Sequence, residues 1–197
     1  MQFAEPPRQA AWEHREARIG CEVTYFRRAG GGGWRIEGST SAVEAGVAWS
    51  VEYRIDLDPS WTTRAALVSC MSAAGRKYIA LSWEHGWLID GVHRPDLDGC
   101  FDVDLEASAM TNTFPVRRLG LALGQQSSAP AVYVRVPDLT VMRLEQEYSR
   151  VDSLEYDYHS LAFDFSCRLV YDDVGLVLDY PGIARRIPCG QATSGSR

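Results

Sequence analysis

The strongest signal along the chain is an alternation of apolar and polar residues with period two. From Val47 to Leu57 the odd positions read Val47, Trp49, Val51, Tyr53, Ile55 and Leu57, and the even ones Ala48, Ser50, Glu52, Arg54 and Asp56. Successive side chains of a strand point to opposite faces, so this segment predicts a long strand with one dry and one wet face. The pattern recurs. Ile19, Cys21, Val23 and Tyr25 alternate with Glu22 and Thr24, and Trp34 and Ile36 with Arg35 and Glu37. Ile79, Leu81 and Trp83 make another dry row, and Phe101, Val103 and Leu105 another, against Asp102, Asp104 and Glu106. In the C-terminal half Met142, Leu144 and Tyr148 oppose Arg143, Glu145 and Glu147, and Leu154, Tyr156 and Tyr158 oppose Glu155 and Asp157. Leu161, Phe163, Phe165, Cys167, Leu169 and Tyr171 form a second long dry row, and Leu176, Leu178 and Tyr180 a short one.

Turn residues divide these runs: AGGGG before Trp34, Leu57-Asp-Pro-Ser60, Asp90-Gly91, Asp98-Gly99 and Asp172-Asp-Val-Gly175. Strands separated by short turns, without helical spacers, predict an antiparallel meander. A brief helix near Gln9–Arg18 is the only helical pattern. One-sided strands must curl the dry face onto itself or pack it on another sheet. Sequential hairpins favour curling. The expected fold is all-β: a single antiparallel meander curled into a β-roll or half-barrel with an apolar interior. Residues 1–18 form an N-terminal segment, 19–189 the β-roll domain and 190–197 a disordered tail. The dry rows are rich in Trp34, Trp49, Trp83, Phe163 and Phe165, which fill a core as readily as they line a cavity.

Composition narrows the function by exclusion. The chain has 197 residues and a net charge of −6, without a basic stripe. That argues against nucleic acid and against electrostatic docking on anionic membranes. No window approaches a membrane span and the N-terminus shows no secretory signal, so a cytoplasmic location is expected. The five cysteines form no CxxC pair and read as reduced residues. The four histidines never take a metal-ligand spacing, and GGGG at 30–33 precedes a strand rather than a helix, so neither a metal nor another cofactor is implied.

Two stretches carry the candidate chemistry. DVDLEASAMTNTFPVRRL (Asp102 to Leu119) and DYPGIARRI (Asp179 to Ile187) each combine carboxylates, a proline and an arginine pair. Asp102, Asp104 and Glu106 share one strand face at steps of about 7 Å. They read as a wet face with cross-strand arginine partners, or as a glycosidase acid and base. If Pro115–Leu123 is extended, Arg117 shares a face with Leu119, Leu121 and Leu123 while Arg118 points away; Arg185 and Arg186 split in the same manner. Each pair then sends one guanidinium to the dry interior, where it meets a carboxylate such as Asp102, Asp104 or Asp179, or a ligand anion.

WLIDGVHRPDLDGCFDVDLEASAMTNTFPVRRL together with GLVLDYPGIARRI closely resembles the bacterial family called "Putative glycolipid-binding", formerly a domain of unknown function. The resemblance runs from about Trp34 to Ile187. It implies a spiral β-roll similar to the lipoprotein carriers LolA and LolB, and names no catalytic residue. It further implies that Asp102, Asp104, Thr111, Asn112, Arg117 and Arg118, with Asp179, Tyr180, Arg185 and Arg186, surround a functional region. The resulting expectation is non-catalytic binding of a lipid or glycolipid. An apolar trough with Trp49 and Trp83 would take the acyl chain, at about 0.8 kcal/mol per buried CH₂. A polar Asp/Asn/Arg mouth beside Trp61 and Trp87 would take the headgroup. Two alternatives stand beside it: a carbohydrate- or lipid-active hydrolase using two of the carboxylates, and an interaction module with a filled core.

Overall fold

The computed structural model describes residues 3–189; the expected tail, 190–197, lies outside the described residues. The first half of the chain supplies β1 (Gln9–His14), β2 (Ile19–Arg28), β3 (Trp34–Glu44), β4 (Val47–Leu57), β5 (Thr63–Ser72) and β6 (Gly75–Trp83). A small hairpin of β7 (Trp87–Ile89) and β8 (Val92–His93) follows, then β9 (Asp102–Leu105) and one α-helix, α1 (Thr113–Leu119). Next come β10 (Gln126–Ser128), β11 (Ala131–Val134), β12 (Val141–Leu144) and β13 (Gln146–Arg150). The chain closes with β14 (Glu155–Ser160), β15 (Phe165–Tyr171), β16 (Val177–Tyr180) and β17 (Ala184–Ile187).

Fourteen strands form one sheet, in the order β10-β13-β14-β15-β16-β17-β1-β2-β3-β4-β5-β6-β7-β8. All its neighbouring pairs are antiparallel, and the C-terminal strand β17 joins the N-terminal β1, with Ala11 opposite Ile187. The sheet stays open, with β10 and β8 at its edges, so the fold is an all-β curled half-barrel. A second sheet of three strands, β12-β11-β9, has one parallel pair, β9 with β11. The segment Gln9–Arg18, where a brief helix is expected, instead carries strand β1 and the turn into β2. Trp12, whose indole donates to the Val177 carbonyl at 2.7 Å, anchors that strand in the core.

The β4 pattern reads as expected from Trp49 onward, with Trp49, Val51, Tyr53, Ile55 and Leu57 all buried, whereas Val47 at the start of the strand is 47% exposed. The β2 pattern is inverted. Glu22, Thr24 and Phe26 face inward, while Ile19 is 82% exposed and Tyr25 45%. The reason lies in what fills the half-barrel. The chain from Leu97 to Val116 crosses its concave face, and Leu97, Val103, Leu105, Met110 and Phe114 share one core with Trp12, Trp34, Trp49, Trp61 and Trp87.

Polar residues on the inner face are the points where this crossing segment docks. Glu22 accepts hydrogen bonds from Tyr53 Oη (2.5 Å), Ser108 Oγ and the amides of Ala109 (2.9 Å) and Met110 (3.4 Å). Thr40 Oγ1 donates to the Ala107 carbonyl at 2.7 Å, and Thr63 Oγ1 accepts from the Val103 amide at 3.1 Å. A buried polar group costs stability unless it is paired, and these are paired by chain 31 to 88 residues away in sequence.

Because β9 runs inside the half-barrel, both of its faces are covered. Asp102 and Asp104, expected on a wet face, are 1% and 8% exposed, while Phe101, expected in the dry row, is half-exposed. Pro115–Leu123 is not extended either. Its first part is α1, where Pro115 sits in the opening turn and Gly120, at φ +55°, closes the last turn through its amide and the Val116 carbonyl.

Candidate functional site

The helical backbone separates the first arginine pair differently from a strand. Arg118 turns toward β9 and grips Asp102 with two nitrogens, Nε to Oδ1 at 3.0 Å and Nη2 to Oδ2 at 2.6 Å. Arg117 turns the other way and lies over the Trp61 ring at 3.9 Å, donating to the carbonyls of Ala4 and Val174. Burial lowers its pKa to about 10. Both guanidiniums are therefore engaged within the fold.

The second motif also divides. Arg185 is exposed on β17, across from the exposed Asp179 of β16. Arg186 faces inward over Trp12 (4.8 Å), with Asp172 Oδ2 at 3.8 Å. Tyr180 goes elsewhere. Its ring packs against Tyr158 and Phe165, with centroids 6.1 and 6.2 Å away.

Tyr180 and Asp104 meet at a cavity of about 270 Å³ between the inner face of β14–β16 and the crossing segment. Its lining mixes the polar Asp104, Glu106, Ser108, Asn112, Ser160 and Arg18 with the apolar Leu144, Phe163, Phe165 and Ile183 and the phenols of Tyr133, Tyr158 and Tyr180. Thr111 Oγ1 donates to Asp104 Oδ1 at 2.8 Å and so orients that carboxylate. Tyr148 donates to Asn112 Oδ1 at 2.9 Å, which leaves the Asn112 amide nitrogen as a donor. The buried Ser160 hydroxyl lies beside the Tyr158 phenol yet completes no hydrogen bond of normal geometry. Glu106 accepts from the Val136 amide at 2.7 Å. Arg18 stacks on Trp49 at 5.2 Å, donates to the Glu106 carbonyl at 3.0 Å and pairs with Glu44 at 3.5 Å.

Of the sequence candidates, then, Asp104, Asn112 and Tyr180 line one cavity and Thr111 supports it. Asp102, Arg117, Arg118, Asp179, Arg185 and Arg186 do not line it. The two tryptophans expected in an acyl trough are also elsewhere: Trp49 is buried beneath Arg18, and Trp83 is 41% exposed beneath Arg64. Trp61 and Trp87, expected at the mouth, are core residues. Tyr133, Tyr158, Ser160 and Arg18 are among the cavity residues that the motifs did not mark, with Leu144, Phe163 and Phe165. For Tyr158 the signal was the run of tyrosines in the C-terminal dry rows, because buried phenols call for polar partners.

Burial pushes the Asp104 carboxyl up to about 6, with Thr111 opposing and Asp102 and Glu106 adding to the rise. An acid with a folded-state pKa above its ordinary value near 3.8 loses stability as pH rises between the two values. Ionised Asp104 therefore costs the fold something on the order of 2–3 kcal/mol at neutral pH. Asp104→Asn, which keeps an Oδ1 acceptor for Thr111, is expected to be more stable at pH 7 by roughly 1–3 kcal/mol, with the gain gone below about pH 4. Urea unfolding at both pH values checks it. A variant less stable than the parent at pH 7 would contradict this reading of the site.

A larger groove of about 610 Å³ lies on the solvent face of β2–β6, beside the exposed Tyr25, Leu67 and Tyr78. Of its charged residues Glu37, Glu52 and Arg54 are in surface ion pairs and Asp90 accepts from the Ala80 amide at 2.8 Å, and none of the candidate site residues reaches it. Among the described residues no cluster of His, Cys, Asp and Glu could hold a metal ion, and no helix is long and apolar enough to cross a membrane.

Comparison with known proteins agrees with the motifs. The model of the family described as "Putative glycolipid-binding" matches residues 9–186. The chain belongs to this family. It is similar to a crystal structure of a DUF1089 family protein from Pseudomonas aeruginosa at 1.80 Å resolution, with 34% identity and a TM-score of 0.75. That similarity covers 84% of this chain and 92% of the other. No curated protein matches the chain. The family description is consistent with non-catalytic ligand binding.

Proposed function

We propose that the protein binds an amphipathic ligand, a glycolipid being the class its family description suggests, with the ring of the headgroup in the Asp104 cavity. The observation that carries this reading is the mixed polar and aromatic lining of the cavity. Asp104, Asn112 and Ser160 offer hydrogen-bonding capacity interleaved with aromatic faces, Tyr133 standing level with Asp104 and Phe165 with Ser160. A sugar ring has the same mixed character, with hydroxyls around its edge and C–H groups on its faces. At about 270 Å³ the space falls just under the ~300–1,000 Å³ of drug-sized pockets and suits a single ring rather than a folded acyl chain. The tail would leave past Phe163 and Leu161, which are 51% and 68% exposed beside the cavity. This relocates the ligand from a deep trough to the rim of a filled half-barrel.

Native mass spectrometry of the purified protein, followed by solvent extraction, tests the proposal. The expected result is a defined lipid adduct that diminishes in Tyr180→Ala, a variant whose folding is checked by thermal melting. A clean apo mass, unchanged after incubation with a cell lipid extract, would overturn it. A hydrolase reading is narrowed to Asp104 and Glu106, since both line the cavity while Asp102 is locked to Arg118. Turnover of the bound lipid, abolished by Glu106→Gln, would favour that reading over simple binding.

A further inference from the structure

We propose that the cavity selects a headgroup bearing a protonated amine, with an amino sugar as the fitting class, over acidic heads carrying phosphate or carboxylate. The inference rests on the binding reading above and specifies its ligand.

The charges facing the cavity point this way. Asp104 and Glu106 both line it, and Asp104 Oδ2 has no hydrogen-bond partner among the described residues. The one cation in the lining, Arg18, is largely used, with Nη1 on the Glu106 carbonyl, Nη2 toward Glu44 and its plane over Trp49. Its Nε is buried without a hydrogen-bond partner, whereas Nη1 and Nη2 are already directed to Glu106 and Glu44, so the guanidinium does not stand free to grip an acidic head. The four motif arginines, the obvious anion receptors in the sequence, are all directed elsewhere. An anionic head would face two carboxylates in a partly desolvated space, and like charges there repel strongly.

The aromatic wall favours the same ligand. Tyr133 and Phe163 have ring centroids 5.5 Å apart, and Tyr158, Phe165 and Tyr180 form a mutually touching group with spacings of 6.1 to 6.3 Å. Ring faces attract an organic cation held within about 6 Å, by up to roughly 2 kcal/mol when it is desolvated. Burial raises the phenol pKa of all three tyrosines, so they stay neutral and act as hydrogen-bonding walls. The uncompleted Ser160 hydroxyl is an independent sign of a polar occupant, because a buried hydroxyl without a partner is costly. An ammonium group beside Asp104 and Glu106, with ring hydroxyls toward Asn112 and Ser160, would satisfy each of these groups.

The test compares three probes with one tail: n-octyl 2-amino-2-deoxy-glucoside, n-octyl glucoside and n-octyl phosphate. Each is titrated below its micellar concentration near neutral pH and followed by calorimetry. The shared tail makes the difference report the head. The expected result is tenfold or more tighter binding of the amino glycoside than of the neutral one, on the order of the cation–ring and carboxylate contributions, and weakest binding of the phosphate. In Glu106→Gln that ratio is expected to fall toward one. Equal affinity for the two glycosides would overturn the amine selectivity and leave the binding reading intact, and so would a preference for octyl phosphate. Failure of both glycosides to bind would overturn both. The wild-type comparison decides the matter even if the variant does not fold.

Discussion

Arg118→Ala is expected to destabilise the protein by about 3–5 kcal/mol, the usual cost of stripping one partner from a buried ion pair. Asp102 is 1% exposed and takes both of its strong hydrogen bonds from this guanidinium. Burial raises the Asp102 pKa in spite of Arg118, which shows how far the site disfavours an uncompensated carboxylate. Without Arg118 the acid must ionise in a dry setting or take up a proton. The loss should therefore shrink at acidic pH, where protonated Asp102 no longer carries the charge. Adding Asp102→Asn to the variant should recover part of it, giving a double mutant less damaged than the two single effects added together. Denaturant unfolding of the four proteins at two pH values checks this. Simple additivity would mean that the pair does not act as a unit.

Gly38→Ala is expected to cost about 2–4 kcal/mol, although it adds only one methyl group in the middle of a strand. Gly38 lies on β3 between Thr24 of β2 and Tyr53 of β4. The Tyr53 ring crosses directly over it to reach Thr24 Oγ1 at 2.7 Å and Glu22 Oε1 at 2.5 Å. A Cβ on Gly38 would stand 2.3 Å from both Cζ and Oη of that ring. Tyr53 would have to withdraw, leaving the buried Glu22 short of a donor and loosening its hold on Ser108 and the chain beyond. Tyr53→Phe removes the hydroxyl alone and should cost less, about 1–3 kcal/mol. Thermal and urea unfolding of both variants checks the order. A Gly38→Ala protein as stable as the parent would show that the ring does not take this route.

These two predictions also mark where the sequence was readable. The alternation in β4 reported its own burial faithfully because apolar residues alone cover that inner face. In β2 the same reasoning picked the wrong face. Glu22 and Thr24 look solvated in a local window, but their partners, Ser108 and Tyr53, lie 86 and 29 residues away. The misreading of Asp102 and Asp104 has the same origin, since no local pattern reveals that β9 runs inside the half-barrel. The arginine pair misled for another reason: Arg117, Leu119, Leu121 and Leu123 imitate period two, while Pro115 near the start and Gly120 at the end are the marks of a short helix. Within the candidate site, the motif residues Asp104, Asn112 and Tyr180 were legible by type. The tyrosine and serine walls from β11 and β14 were not, because only the tertiary fold brings those strands to the crossing segment.

A co-crystal structure with n-octyl glucoside tests the central claim most directly. The glucosyl ring is expected between Asp104, Asn112, Tyr158 and Tyr180, with the alkyl tail passing over Phe163. A glucosyl ring bound in the outer groove beside Tyr25, Leu67 and Tyr78, with only solvent in the Asp104 cavity, would contradict it.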